Sequence, residues 1–196
     1  KFWWDQGATR VVTARELSLN EIKQIRKNIP DEMEIETFMH GAMCISYSGR
    51  CLLSSFMAGR DANRGACTHP CRWKYAVVEE SRPGEYMPVY ENERGTYIFN
   101  SKDLCMIEHM PELMDAGIDS FKIEGRMKST YYLATVVGCY RKLIDLYYET
   151  GKITEEQFRW FENEIKKAEN RLTSVGFFDG LPTIEEQLYD TRCEQP

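Results

Sequence analysis

Hydrophobic positions along the chain switch between two periods. Thr9–Ala14 is a short β-branched run bounded by Gly7 and the charged Arg15-Glu16, the pattern of a buried strand. Leu19, Ile22, Ile25 and Ile29 then recur at three and four residues, which predicts an amphipathic helix. Ser18 or Asn20 can cap it, Glu21 falls in its first turn, and Pro30 ends it. Met33–His40 reads as a second strand. The rhythm breaks over residues 41–95, where only Tyr75–Val78 has strand character. It resumes with a third strand at Thr96–Phe99 and a turn at Asn100–Asp103 leading into a helix through Asp115, stopped by Gly117. Asp119–Glu124 is a fourth strand. A long helix over about Ser129–Thr150 stops at Gly151, and Thr154 with Gln157 forms a capping box for a last helix to about Leu172.

The order β-α-β-insertion-β-α-β-α-α is that of an α/β protein with a parallel sheet and right-handed crossovers. Parallel β/α units of this number make half of a TIM-like (β/α)8 barrel; a four-stranded open sheet is the competing arrangement. The domain expected is a partial barrel over 1–172 with a cysteine-rich insertion at 41–95. Residues 173–196 read as an irregular tail leading to a missing C-terminal region. A half barrel has two open sheet edges, a liability that implies a fragment of something longer. Chemistry in such folds gathers at the carboxyl ends of strands. Those ends carry Arg15-Glu16, Glu36 with His40, Asn100-Lys102-Asp103 and Glu124-Arg126-Lys128.

Composition adjusts this picture little. The 196 residues are 42% hydrophobic and 29% charged, enough for a core and not the balance of a disordered chain. A net charge of -6 argues against a wholly basic nucleic-acid binder, but a local basic patch survives an acidic average. No apolar run approaches the ~20 residues of a membrane helix, and the first residues lack a signal pattern, so a cytoplasmic protein without a membrane partner is expected.

The cysteines matter more. Seven is an odd number, unsuited to a complete disulfide framework. Four of them follow Cys44-x6-Cys51-x15-Cys67-x3-Cys71. Structural zinc prefers two tight pairs, and only Cys67/Cys71 is tight. Wide, uneven spacing favours an iron–sulfur cluster over zinc, with ordinary buried thiols as the remaining reading. Cys105 is a possible replacement ligand, Cys139 sits on an apolar helix face, and Cys193 lies in the tail. Around the cysteines run Arg10, Arg15, Arg50, Arg60, Arg64, Arg72, Lys74, Arg126 and Lys128, with Trp73 and Tyr75 alternating with Arg72 and Lys74. Bases interleaved with aromatics suit phosphate contact and base stacking, although a solvated loop has the same composition. Arg126 and Lys128 also suit the carboxylates of a small dianionic acid. His40 is a candidate base or ligand. No G-x-S-x-G elbow and no H-E-x-x-H motif is present, so protease chemistry is poorly supported.

The residues Glu36, Phe38, Gly41, Ala42, Met43, Cys44, Gly49, Cys51, Leu53 and Ser54 form a pattern that resembles the defining motif of peptidase family U32, the collagenase-like proteins. Arg15–Ser18, the Asn63-Arg64-Gly65-x-Cys67-x3-Cys71-Arg72-Trp73 run and the Lys122–Lys128 stretch are similar to that family too. The resemblance implies a larger protein with a further N-terminal β/α half and more chain after Pro196. It also implies two competing activities. One is the historical peptidase label. The other is oxygen-independent hydroxylation by proteins holding a [4Fe-4S] cluster on four cysteines, acting on the tRNA wobble uridine with prephenate as oxygen donor, on ribosomal RNA or on ubiquinone precursors. Cys44, Cys51, Cys67 and Cys71 match the cysteines of the tRNA branch, with Cys105 as variant ligand. The expected site then has Arg126, Lys128 and Arg15 holding the anionic co-substrate or an RNA phosphate, with Glu124 and His40 beside them. Arg72, Trp73 and Arg64 contact tRNA or another RNA. A protein partner of the same family, and a non-catalytic module held by zinc, complete the expectations.

Overall fold

The computed structural model describes residues 1–182, apart from 45, 74, 79, 82, 85, 89–101, 126–127 and 169–170. The strand expected at Thr96–Phe99, and Lys74, Arg126 and Cys193, lie outside the described residues. The chain divides into two compact units, one of Lys1–Met43 with the described residues from 102 onward, the other within residues 44–101.

The first unit is built on a sheet of parallel and antiparallel strands. A short helix α1 (Phe2–Asp5) precedes β1 (Arg10–Val12), α2 (Leu19–Asn28) and β2 (Glu34–Gly41). β2 is the centre of the sheet. It pairs in parallel with β1, from Arg10 opposite Glu34 to Val12 opposite Glu36. It also pairs in parallel with β6 (Ser120–Ile123), from Glu36 opposite Ser120 to His40 opposite Ile123, with a register shift between Phe38 and His40. These three strands match the expected parallel arrangement.

β5 (Asp103–Cys105) does not. It lies antiparallel to the end of β2, with His40 opposite Cys105 and Gly41 opposite Leu104, and parallel to β7 (Thr173–Ser174). The expected helix from the Asn100–Asp103 turn is thus a strand at its start. A 3₁₀ turn follows at Ile107–His109, and regular helix α4 covers only Met110–Asp115. Leu104, Ile107 and Met110 are all buried and recur at three residues, which imitates helical spacing. Thr173–Ser174, expected to be irregular, is the strand that β5 needs on its other side.

The helices follow their pattern closely. Ser18 accepts from the Glu21 N–H while Glu21 reaches back to the Ser18 N–H, a complete capping box on α2. Thr154 and Gln157 do the same for α6 (Glu155–Lys166), which ends one and a half turns before the expected Leu172. Helix α5 (Thr130–Thr150) is capped by Ser129 and closed by Gly151 in the left-handed conformation. Its Tyr132, Val136, Cys139, Tyr140 and Leu143 face the core, where Ile35 and Met39 of β2 and Phe161 and Ile165 of α6 also pack. Burying a side chain such as Val136 or Leu143 contributes about 1.5–3 kcal/mol.

The second unit holds α3 (Leu53–Ala58), 3₁₀ turns at Ala62–Arg64 and Pro70–Arg72, and an antiparallel pair, β3 (Ala76–Val78) with β4 (Tyr86–Pro88). β3 is the short strand expected inside the insertion. Among the described residues, no helix is long and apolar enough to cross a membrane.

Candidate functional site

The four clustered cysteines all lie in the second unit, on segments tied to one another by polar contacts. Ser54 of α3 is fully buried, and its Oγ accepts from the Thr68 N–H at 3.1 Å. That bond fastens α3 to the stretch carrying Cys67. Asn63 Nδ2 donates to the Gly49 carbonyl at 3.2 Å, joining the first 3₁₀ turn, Ala62–Arg64, to the turn before Cys51. Tyr75 Oη donates to the Pro70 carbonyl at 2.8 Å, beside Cys71. His69 adopts a left-handed conformation, φ 55°, and its N–H donates to Cys67 Sγ at 3.3 Å. An N–H aimed at sulfur stabilises a thiolate and tunes a sulfur-bound metal.

Cys44, Cys51, Cys67 and Cys71 are not joined in disulfides. Burial pushes the Cys71 thiol up to about 11; Arg72 pulls it back, while Cys44, Cys67 and Cys51 push it further up. The four sulfurs are therefore electrostatic neighbours. As a donor set they suit a soft metal or cluster. Among the described residues, no three of His, Cys, Asp and Glu are placed to hold a metal ion.

The first unit gathers a different set at the carboxyl end of β2. His40 is 1% exposed, and its Nδ1 lies 3.2 Å from Tyr140 Oη. Tyr140 Oη donates to the Met39 carbonyl and accepts from the Met106 N–H, each at 3.1 Å. The phenol proton is thus used, so His40 carries its own proton on Nδ1 and leaves Nε2 as an acceptor. Nε2 is buried without a hydrogen-bond partner among the described residues. Burial pulls the imidazole down to about 4, Asp103 pulls up and Lys128 pulls down, so it is neutral at neutral pH. Lys128 Nζ donates to Asp103 Oδ2 at 2.9 Å, with the side chains only 12% and 5% exposed. The Lys128 ammonium also lies 4.8 Å from the Tyr132 ring centroid. Glu124 is fixed by its backbone: its N–H donates to the His40 carbonyl at 2.9 Å. Its own carbonyl presses so close to Gly41 that a Cβ there would meet it at 2.3 Å, and Gly41 has φ 119°.

A second polar group lies earlier on β2. Glu36 takes Arg10 at 3.1 Å, Lys122 at 3.2 Å and Ser120 Oγ at 3.1 Å. Burial pushes its carboxyl up, but Lys122, Ser120 and Arg10 together hold it below its ordinary value. Arg15 lies with its guanidinium 3.7 Å from the centroid of the Phe38 ring.

The chain was compared with known proteins. The model for peptidase family U32 matches residues 1–188. The chain belongs to peptidase family U32. It is 46% identical over its whole length to tRNA hydroxylation protein P1 of Bacillus subtilis, covering 45% of that protein. It is 43% identical, over 90% of its length, to an uncharacterized protease of Methanocaldococcus jannaschii, of which it covers 42%. It is 39% identical, over 74% of its length, to the 23S rRNA 5-hydroxycytidine C2501 synthase of Escherichia coli, of which it covers 21%. The chain spans less than half the length of these curated relatives. No solved structure matches it.

Of the U32 residues singled out from sequence, His40 and Lys128 are brought together, and the Glu124 backbone joins them. Arg15 sits instead on Phe38, and Arg126 lies outside the described residues. Cys105 belongs to the first unit, 3.8 Å from Tyr140 Oη and opposite His40 in the sheet. Arg64 and Trp73 are exposed, while Arg72 is partly buried. Sequence reasoning left out Tyr132, Tyr140 and the pairing of Asp103 with Lys128. The signal for Tyr140 was available: a phenol on the buried stripe of a helix must find a polar partner.

Proposed function

We propose that this U32 chain is the cysteine-bearing part of an RNA hydroxylase that adds a hydroxyl at carbon 5 of the tRNA wobble uridine. The observation that carries this reading is the 46% identity, over the whole chain, to a protein named for tRNA hydroxylation. The relative named as a ribosomal RNA hydroxycytidine synthase supports the same chemistry on RNA.

In this reading Cys44, Cys51, Cys67 and Cys71 hold a [4Fe-4S] cluster. Zinc is the alternative metal, and Cys105 is the alternative ligand. When bound, such a cluster supplies one-electron redox chemistry. The protein's own part is to give up the Cys71 proton on loading and to aim the His69 N–H at Cys67. Lys128, Arg15 and Arg126 are assigned to a small dianionic co-substrate of the prephenate type. Lys128 is already held by Asp103, so it contributes to such a site as a fixed charge and not as a mobile arm. Neutral His40, with Nε2 as acceptor, and Glu124 complete the polar group. Arg64, Arg72 and Trp73 are assigned to the RNA. The β1–β2–β6 core is read as half of a TIM-like barrel. A structure of the intact protein should show further parallel strands on the outer edges of β1 or β6; a sheet closed off there by other elements contradicts that part.

The peptidase label has less behind it. Among the described residues, neither His40 nor His109 hydrogen-bonds a serine or cysteine side chain, as a nucleophile and its base would. Nucleoside analysis of tRNA decides between the readings. Deleting the gene, together with any paralogue, should remove the hydroxylated wobble uridine, and wild type but not Cys51→Ala should restore it. An unchanged tRNA profile after deletion defeats the proposal.

A further inference from the structure

The second unit carries exposed rings and arginines that the cysteine chemistry does not use. Tyr47 is 68% exposed, Phe56 86% and Trp73 45%. Exposed rings also occur in the first unit, at Phe2, Trp3, Tyr131, Tyr148 and Trp160; those of the second unit differ in standing within a basic stretch of sequence. Ser54 anchors α3 by its buried side, and Phe56 stands out from the same short helix. Arg50, Arg60 and Arg64 are also exposed. Among the described residues, none of these three has a side-chain hydrogen bond or an ion pair. Residues 44–75 contain five Arg and Lys against one Asp, a local charge of +4 in a chain of net charge -6. The one acid, Asp61, caps the Asn63 N–H at 2.9 Å. Elsewhere the chain pairs its arginines with carboxylates, as Arg10, Arg26, Arg141 and Arg159 show.

Resting on the RNA reading above, we propose that Tyr47, Phe56 and Trp73, with Arg50, Arg60 and Arg64, receive a single-stranded stretch of the RNA substrate. The rings stack on unpaired bases and the guanidiniums take the phosphates between them. A duplex offers its phosphates but keeps its bases stacked inside, so it can use the arginines and not the rings. The surface is therefore selective for loops, and it lies in the same unit as the four cysteines. A protein partner would also cover exposed rings, but it has no general need of three arginines that, among the described residues, make no ion pair.

The test is equilibrium binding by fluorescence anisotropy across a salt series. It uses the intact protein with an unmodified tRNA anticodon stem-loop and with a blunt RNA duplex of the same length. The stem-loop should bind more tightly than the duplex. Phe56→Ala and Tyr47→Ala should each weaken stem-loop binding by roughly 5- to 150-fold, leaving the salt slope and duplex binding unchanged. Arg60→Gln should lower the slope of log K against log salt by about 0.7 for the single-stranded loop and about 0.9 for the duplex. Both ring positions are exposed, so these variants should keep the wild-type unfolding temperature. If wild type binds and hydroxylates tRNA while all these variants bind as wild type, the surface is not the RNA site and the inference falls alone. If Phe56→Ala instead abolishes a protein–protein association with RNA binding intact, the surface belongs to a protein partner. If wild type neither binds nor hydroxylates tRNA, the RNA reading falls and takes this inference with it.

Discussion

His40 is a buried titratable group of the first unit. It titrates at about 4 in the folded chain, against 6.5 when unperturbed. Above about pH 6.5 both folded and unfolded chains hold a neutral imidazole, and this residue contributes no pH dependence. Between 6.5 and 4 only the unfolded chain takes up the proton, so stability falls as pH falls. The loss approaches about 3 kcal/mol at the lower end, with Asp103 and Lys128 as the charged neighbours. Urea unfolding at pH 7 and pH 4.5 measures it, and His40→Asn should remove that part of the difference. An equal pH dependence in the variant contradicts the burial argument. Gly41 is the adjacent point of strain. A methyl group there would lie 2.3 Å from the Glu124 carbonyl, at a φ that other residues avoid. Gly41→Ala should lower stability by at least about 2 kcal/mol in the same assay. His40 was visible in the sequence as a polar residue at a strand end. Its neutral state was not, because that depends on burial and on Asp103 and Lys128, more than sixty residues away.

At the scale of elements, what was legible is what local chemistry decides. Helices α2, α5 and α6 were readable from their caps and apolar stripes, because both signals lie within a few residues of one another. Ser18→Ala tests the capping box on α2. It should cost about 1 kcal/mol, and Thr154→Ala on α6 should cost a similar amount. Thermal unfolding of each variant reads this out; an unchanged midpoint for both would mean that the boxes contribute nothing. β5 was misread for the opposite reason. Three residues are too few to display a period, and its pairing with β2 and β7 draws on partners more than sixty residues away in each direction. The antiparallel direction of β5 follows from that long-range pairing and has no local signature. α3 and the 3₁₀ turns were likewise invisible beneath the glycines and cysteines around them.

At the scale of the molecule, the two units divide the chemistry. One carries a buried polar group around His40, Asp103 and Lys128; the other carries four thiols, a basic stretch within residues 44–75 and exposed rings. The family was legible from the motif around Cys44 and Cys51, since so long a pattern of unusual residues rarely arises by chance. The gathering of the thiols was legible only as spacing, and the structure adds that Cys44, Cys67 and Cys51 push the Cys71 thiol up. The account rests on those four cysteines forming one metal-binding set. The direct measurement is the iron, sulfide and zinc content, with the visible spectrum, of the intact protein purified without oxygen. The account predicts iron and sulfide in equal amounts and a visible absorption, both lost in Cys51→Ala and Cys71→Ala and kept in Cys139→Ala. A colourless protein carrying one zinc per chain, or a cluster that survives both cysteine substitutions, would contradict it.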